Sequence, residues 1–309
     1  MMRKMKVILN PVSGGGLSAK VWQKIEPILI QKGISYSYEA TTKEKAAKDI
    51  AKESVKQGYH WILGIGGDGT FSNIINGLFE NGKLINKNVV FSPIPAGRGN
   101  DFIKTVKVPK NPVKALEQVL NGAERHIDLI DVTYTKADKS KGKYLCLNLA
   151  DFGMGGEVVY RVNQSKLGRF IGGKGVFLFY TVVCLFSYTN KKITLTLSKF
   201  EKITNKCRLI VCANGEFAGG GMWFAPKAKL DDGKMDLLAI QDVSVFETLR
   251  KFGNLYQGKL SDDAKVISKQ ITELTAESEE DVFIDVDGEN MGQLPAQFKV
   301  LPKVLPIKC

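Results

Sequence analysis

Trp61-Ile62-Leu63-Gly64-Ile65-Gly66-Gly67-Asp68-Gly69-Thr70 is the stretch on which the fold turns. Its first five residues form a short apolar run, the pattern of a strand covered on both faces. Glycines then break the run, and Ile74, Ile75 and Leu78 follow near helical spacing. A buried strand, a glycine-rich turn and a helix make one unit of a parallel α/β sheet. Gly64 to Gly69 also matches Gly-x-Gly-x-x-Gly, so a dinucleotide-binding fingerprint has to be weighed. Two features speak against it: Asp68 would bring negative charge to a pyrophosphate, and no acidic residue stands near position 89 to hold a ribose. A Gly-x-x-x-x-Gly-Lys-[Ser/Thr] loop is absent from the chain. Two readings stay open for the turn. In one it cradles phosphate: backbone N–H groups, the positive end of the next helix and the Thr70 hydroxyl meet phosphate oxygens, and Asp68 faces the reacting group. In the other it is a tight bend capped by Asp68.

The neighbouring segments repeat the unit. Residues 5–9 read as a first strand, followed by the loop Asn10-Pro11-Val12-Ser13-Gly14-Gly15-Gly16 and a helix over 18–32 that carries Val21, Ile25, Ile28 and Leu29. Residues 36–40 suggest a second strand, and 43–57 a charged helix ended by Gly58. Residues 89–94 form the next strand, which runs into Pro95-Ala96-Gly97-Arg98-Gly99-Asn100-Asp101. Loops that follow the strands of a doubly wound parallel sheet gather at its carboxyl edge, where ligands bind. Three glycine-rich loops on one edge predict a single crevice.

After about residue 130 the rhythm changes. Segments 129–134, 144–149, 193–198, 208–213, 235–240, 281–286 and 296–300 are β-prone, with turn signals at Asp231-Asp232-Gly233 and Asp287-Gly288. Helical stretches interrupt them at about 173–189 and 244–260. The expected architecture is therefore an α/β N-terminal domain with a doubly wound parallel sheet, over residues 1–130. An antiparallel β-sandwich or barrel domain follows over 131–296. A length of 309 residues suits two domains.

Composition narrows the class. Five cysteines without a Cys-x-x-Cys pair, and only two histidines, leave too few ligands for a zinc site and suit reduced thiols in the cytoplasm. The N-terminal residues lack the pattern of a signal peptide. The most apolar run, 175–187, is 13 residues, short of the roughly 20 that span a bilayer. The net charge of +12 is uneven: residues 1–130 carry +8, 131–208 carry +9 and the remainder −5. Such a middle segment attracts anionic lipid surfaces, nucleic acid or phosphorylated ligands, or is a solvated face without a partner.

The three motifs together, Asn-Pro-x-Ser-Gly from Asn10, Gly-Gly-Asp-Gly-Thr from Gly66 and Pro-x-Gly-x-Gly-Asn-Asp-Phe from Pro95, resemble the diacylglycerol kinase catalytic-domain family. That family includes bacterial lipid kinases and sphingosine kinases, and it shares the central turn with NAD kinases. Later segments fit as well: Ile127-Asp128-Leu129, 228–233 and Asp287-Gly288-Glu289. The resemblance implies an ATP-dependent lipid kinase with its active site between two domains, and a C-terminus, about 297–309, that returns to the first domain. It implies ATP contacts from Asn10, Pro11, Val12, Ser13, Gly14, Thr41, Gly66, Gly67, Gly69 and Thr70. Asp68 would sit at the phosphoryl-transfer centre, Asp101 and Asp128 in an acidic network around Mg²⁺, and Glu289, beside Asp287, would accept the proton. Asp232 with the main-chain carbonyls of Lys229 and Lys234 resembles a structural Mg²⁺ loop. Read from the residues alone, that loop is also an ordinary Asp-Asp-Gly hairpin turn, and Asp287-Gly288-Glu289 is another.

Two positions depart from the family pattern. Phe71-Ser72-Asn73 follows the central turn where the family has x-Asn-Glu, and Arg98 stands where it mostly has Thr or Ser. Arg98 reaches a phosphate as a bidentate cation or fills the nucleotide pocket. With Asn100 and Asp101 it completes the expected nucleotide-binding set. Leu167 to Val176 is glycine-rich, basic and apolar, and Gly219 to Phe224 places glycines beside aromatics; both are candidate membrane contacts or parts of the interior. The expected partners are ATP and a lipid at an anionic membrane surface, with the protein cytoplasmic and peripherally membrane-associated. Nucleic acid is not expected, and a homodimer is left open. Kinase action on a soluble substrate such as NAD, or catalytically weakened nucleotide or lipid binding, are the alternatives.

Overall fold

The computed structural model describes residues 4–165, 167–198 and 201–309, with the side chains of 168–174 and 198 outside the description. The first three residues of the basic start and most side chains of the 167–176 stretch therefore lie outside the described residues. In the N-terminal part, β1 (Met5–Leu9), β2 (Tyr36–Ala40), β3 (Trp61–Gly66) and β4 (Val90–Pro95) pair in parallel in the order β2-β1-β3-β4. Both central strands are almost wholly buried, which is why they read as continuous apolar runs. Helix α1 (Leu17–Gln31) turns Val21, Trp22, Ile25 and Leu29 inward. Helix α2 (Ala47–Lys56) does the same with Ala47, Ile50, Ala51 and Val55. Helix α3 (Asp68–Leu78) lies so close to α2 that a Cβ on Gly77 would stand 2.2 Å from the Lys48 carbonyl oxygen. Helices α4 (Asp101–Val106) and α5 (Pro112–Asn121) complete this half.

The chain then runs through β5 (Glu124–Thr135), β6 (Lys141–Cys146), β7 (Leu149–Gly153), α6 (Met154–Gln164), α7 (Gly168–Ser187), β8 (Lys191–Ser198) and β9 (Glu201–Ala213). It continues as β10 (Met235–Gln241), α8 (Val245–Gln257), β11 (Val266–Ile271), β12 (Glu273–Glu277), β13 (Phe283–Val286) and β14 (Glu289–Lys308). Antiparallel pairings link β9 to β8, β8 to β12, β12 to β14, β14 to β13, β13 to β7 and β7 back to β9, so six strands close a ring. Its interior holds a second apolar core that includes Phe152, Ile210, Leu237 and Phe298. Closure removes sheet edges that would otherwise pair with other chains.

Strand β14 is long enough to serve both halves. Its start pairs with β13, its middle with β12 and β5, and Ile307 pairs in parallel with Phe91 of β4. Ser92 Oγ donates to the Lys308 carbonyl oxygen at 2.7 Å, and Lys308 Nζ to that of Leu120 at 2.9 Å. Leu305 and Ile307 thus belong to the N-terminal core.

Several elements differ from the sequence reading. The 144–149 segment splits into β6 and β7, because residues 147 and 148 leave the ladder beside a buried carboxylate, described below. Helix α5 had a signal: Asn111 accepts from the N–H groups of Val113 and Lys114, with Pro112 at the first helical position. Strands β11 and β12 are mostly polar and partly exposed, so alternation was weak. All five cysteines are free thiols, four of them buried.

Candidate active site

The three glycine-rich loops meet at the carboxyl end of β1, β3 and β4, and they touch through backbone. Gly14 has φ +63°, and a Cβ there would come within 2.3 Å of the Ala96 carbonyl oxygen. A Cβ on Gly97 would stand 2.4 Å from Gly67 Cα. Only glycine permits both approaches. Hydrogen bonds fasten the cluster: Ala96 N donates to the Gly66 carbonyl at 2.7 Å, and Asn10 N to that of Ile65 at 3.2 Å. Asn10 Nδ2 donates to Thr70 Oγ1 at 3.2 Å. Asn100, at φ 54°, closes its own loop by accepting from Gly97 N at 3.1 Å and donating to the Gly97 carbonyl at 3.0 Å. Asn10 and Asn100 therefore shape the cradle. Ser13, Gly14, Gly67, Gly69 and Arg98 line an open cleft of about 440 Å³, with exposed Val12 on its rim. The Arg98 guanidinium lies over the first loop, 2.7 Å from where a Gly15 Cβ would be. Thr41, at the end of β2, donates its N–H to the Leu9 carbonyl at 2.8 Å, and Pro11 sits in the turn after β1.

Asp68 opens α3 and joins the second loop to the third. Its Oδ2 accepts from Asp101 N at 3.1 Å and its Oδ1 from Phe102 N at 3.0 Å, so it caps α4. Burial pushes its carboxyl up, while the Phe102 and Asp101 N–H donors oppose that rise and the Asp101 charge adds to it. The Asp101 carboxylate is engaged on both sides, by Lys104 Nζ at 2.6 Å and by Gly220 N at 2.7 Å. It thereby ties the third loop to the 219–221 turn. In that turn Trp223 stacks on Phe217 and donates to Glu216 at 3.0 Å, and Phe224 is buried. Of the two readings the sequence left open for these aromatics, Phe224 follows the interior one, and Trp223 is half-buried.

The β13–β14 hairpin brings the C-terminal part to the same place. Asp287 and Gly288 have φ 53° and 89°, as a two-residue Asp-Gly turn requires. A Cβ on Gly69 would lie 3.9 Å from Glu289 Oε1, so Glu289 stands beside the phosphate turn. Partial loss of its water and the Asp287 charge push the Glu289 carboxyl up. Asp287 itself takes a different part from the catalytic one read from sequence. Its carboxylate accepts from Ser72 Oγ, Leu147 N, Asn148 N and Leu149 N, between 2.7 and 3.1 Å. Burial pushes it up and those donors hold it down. It anchors the 147–149 segment that splits β6 from β7.

Asp128 stands at a second junction. It is fully buried, and its carboxylate accepts from Gly233 N and Lys303 N, both at 2.7 Å. It fastens the 231–233 turn to β14. Asp232 Oδ1 accepts from Lys234 N at 3.0 Å, an ordinary turn cap. The Lys229–Lys234 loop offers a cation two exposed carboxylates, Asp231 and Asp232, and turn carbonyls. Among the described residues no group of three or more His, Cys, Asp or Glu side chains is placed to hold a metal. The donor set fits a magnesium ion that arrives on nucleotide phosphates better than one held by a protein cage.

A second, larger cavity of about 800 Å³ opens from the Asp68 end of the cradle into the C-terminal part. Asp68, Arg98 and Gly99 border both spaces. Its walls are apolar, with Met154, Val158, Leu178, Phe224, Ile240 and Leu255 among them. The sequence reading missed two carboxyl groups in that wall, Asp151 and Asp285, which face each other across β7 and β13. Asp285 lies in β13, two residues before the turn residue Asp287, and an acid inside the β-prone run 281–286 was the signal that could have found it.

With this geometry in view, the comparisons are specific. Residues 4–132 match the diacylglycerol kinase catalytic domain, and residues 149–309 match the YegS C-terminal NAD kinase beta sandwich-like domain. The chain belongs to the diacylglycerol kinase catalytic-domain family. It is 28% identical over 303 residues to a curated diacylglycerol kinase of Bacillus subtilis (strain 168), covering 96% of this chain and 93% of that one. A diacylglycerol kinase of Staphylococcus carnosus (strain TM300) is 27% identical over 300 residues, covering 96% and 92%. A solved structure of a diacylglycerol kinase from Bacillus anthracis str. Sterne superposes with a TM-score of 0.73 at 21% identity, covering 99% of this chain and 96% of that one. That last likeness speaks for the fold.

Proposed function

We propose that this chain transfers the γ-phosphoryl group of ATP to a hydroxyl of a lipid. The observation that carries the reading is the shared border: the phosphate cradle and an apolar cavity of about 800 Å³ meet at Asp68, Arg98 and Gly99. One side suits phosphate, the other an alkyl chain, and the acceptor hydroxyl would lie where they join. In this reading the N–H groups of the Gly66–Thr70 turn and the N-terminus of α3 receive the phosphates. Arg98 adds a cation, and Glu289 takes the proton of the attacking hydroxyl. Magnesium bound with the nucleotide supplies neutralisation of phosphate charge. Asp101, through Lys104 and Gly220, positions the loop that separates the two spaces.

Membrane contact is the second part of the proposal. Large exposed apolar side chains concentrate on α7 and α8: Leu178, Phe179, Phe186, Phe246, Leu249 and Tyr256. Phe177 and Phe252 on the same two helices line the cavity. An apolar face continuous with the cavity wall suits a protein that rests on a bilayer and admits one lipid. No helix among the described residues is long and apolar enough to cross a membrane.

The test is transfer from labelled ATP, with Mg²⁺, to diacylglycerol, a sphingoid base, phosphatidylglycerol and NAD. Label in one or more of the lipids supports the proposal, and label only in NAD overturns it.

A further inference from the structure

Helix α8 has no buried residue, yet it forms part of the wall of the apolar cavity. Glu247, Thr248, Lys251, Phe252 and Leu255, spaced as one face of a helix, line that space. Phe246, Leu249 and Tyr256 point the other way and are exposed, as are the cations Arg250 on the helix and Lys259 just after it. A helix with apolar side chains on two faces and none in a core is weakly held. Two ion pairs secure it along the cavity wall: Glu247 with Lys265 at 2.6 Å, and Lys251 with Asp263. Both pairs keep some exposure, so solvent and salt weaken them. The ends of α8 are sharply defined. Ser244 closes the first turn with a capping box, and Gly258, at φ 67°, ends the last one. A Cβ on Gly258 would stand 2.8 Å from Pro226 and 2.9 Å from Trp223, so the chain turns there against one fixed support.

We propose that α8 is a lid over the cavity, latched by the Glu247–Lys265 and Lys251–Asp263 pairs and displaced when its outer face enters an anionic bilayer. The inference rests on the lipid-kinase reading above and deepens it by naming what controls entry to the cavity. A bilayer that receives Phe246, Leu249 and Tyr256 lies on the side of α8 away from the cavity. A lipid drawn from it therefore has to pass the helix. The mouth at Asp68 is polar and shared with the phosphate cradle, so it does not suit an entering acyl chain. Phe252, exposed and on the cavity wall at once, continues the apolar path around the helix edge. Burial of the outer side chains in the bilayer offsets the parting of two screened ion pairs. In water the latch stays closed and keeps the apolar walls covered.

The experiment uses the full chain and vesicles of equimolar phosphatidylglycerol and phosphatidylcholine carrying NBD-labelled diacylglycerol. Uptake of the labelled lipid per vesicle-bound protein is read without ATP. Lys251→Cys with Asp263→Cys, bridged by dibromobimane, fastens the lid. Cys309→Ser serves as background, because the other four native thiols are buried. Bridging should lower uptake at least tenfold relative to the same protein with both thiols capped singly. Equal uptake in the two forms overturns the lid. Glu247→Gln with Asp263→Asn opens the latch while keeping oxygens for the Ser244 and Lys265 N–H groups. It should raise uptake over wild type about fivefold, the scale of two partly exposed ion pairs. A rate unaltered in this variant, or no uptake by any form, also overturns the proposal. Transfer from labelled ATP is measured separately. Absence of transfer alongside uptake that bridging blocks sinks the kinase reading and leaves the lid standing.

Discussion

Ser72 Oγ donates to Asp287 Oδ2 across 2.7 Å, joining the helix after the phosphate turn to the β-turn that carries Glu289. Tyr144 lies at 3.2 Å on the other side of the same hydroxyl. Ser72, one of the departures from the family pattern, therefore serves the junction between the two halves. Asp287→Ala would leave three backbone N–H groups without their acceptor in a buried setting. We expect a loss of about 3 kcal/mol or more, and about 1 kcal/mol for Ser72→Ala, read from urea unfolding. Equal, small losses for both would show that the Leu147–Leu149 donors find other partners.

Asp68 has two duties, and substitution separates them. Asp68→Asn keeps an oxygen for one of the two α4 donors but removes the charge at the cradle. Transfer should fall at least a hundredfold, while stability falls by about 1 kcal/mol, the size of a lost helix cap. Full activity in this variant would mean that the turn is only structural.

Arg98 lies over the first loop and borders both spaces. Arg98→Ala should raise KM for ATP roughly tenfold, the scale of one charge-assisted contact, with Arg98→Lys intermediate because the fork geometry is lost. Steady-state kinetics with ATP varied decides it. A KM unaltered in both variants would place the guanidinium outside the nucleotide site.

The carboxyl pair makes stability pH-dependent. Burial and the Asp151 charge push Asp285 up, and burial pushes Asp151 up to about 7. An unfolded aspartate titrates near ~3.9, so between that value and the raised one the folded protein binds more protons. Stability then falls as pH rises through that window, by up to about 1.4 kcal/mol per pH unit for each proton. Asp285→Asn removes one of these groups. It should be more stable than wild type by roughly 1–3 kcal/mol at pH 8 and show less gain at pH 5. Urea melts at the two pH values measure this, and an identical difference at both would contradict it.

The exposed faces of α7 and α8 can be tested apart from the chemistry. Phe246 is 74% exposed and Phe186 66%, so Phe246→Glu with Phe186→Glu should change folding stability little. Cosedimentation with anionic vesicles should drop at least fivefold. Retained sedimentation would move the membrane contact elsewhere.

Much of the site was legible because its signals are local. Glycines at 14, 67 and 97 announce backbone crowding, and the strand before each loop announces the sheet edge where loops meet. Asp287-Gly288 announced a hairpin, which forms with the expected positive φ values. What escaped was which carboxylate does what. Asp287 and Asp128 looked like the chemical groups around them, yet their oxygens are consumed by backbone donors from distant segments. Asp151 and Asp285 drew no notice because each is an isolated acid in a β-prone run.

By itself the sequence determined the alternation of strands and helices, the three loops and the turn that holds Glu289. These follow from residue periodicity and from glycine conformations, which act over a few residues. Only the tertiary structure decided that six strands close a ring, which segments β14 pairs with along its length, and that Asp151 meets Asp285 beside an apolar cavity. Those facts depend on register between strands far apart in the chain, and register is set by how whole faces pack.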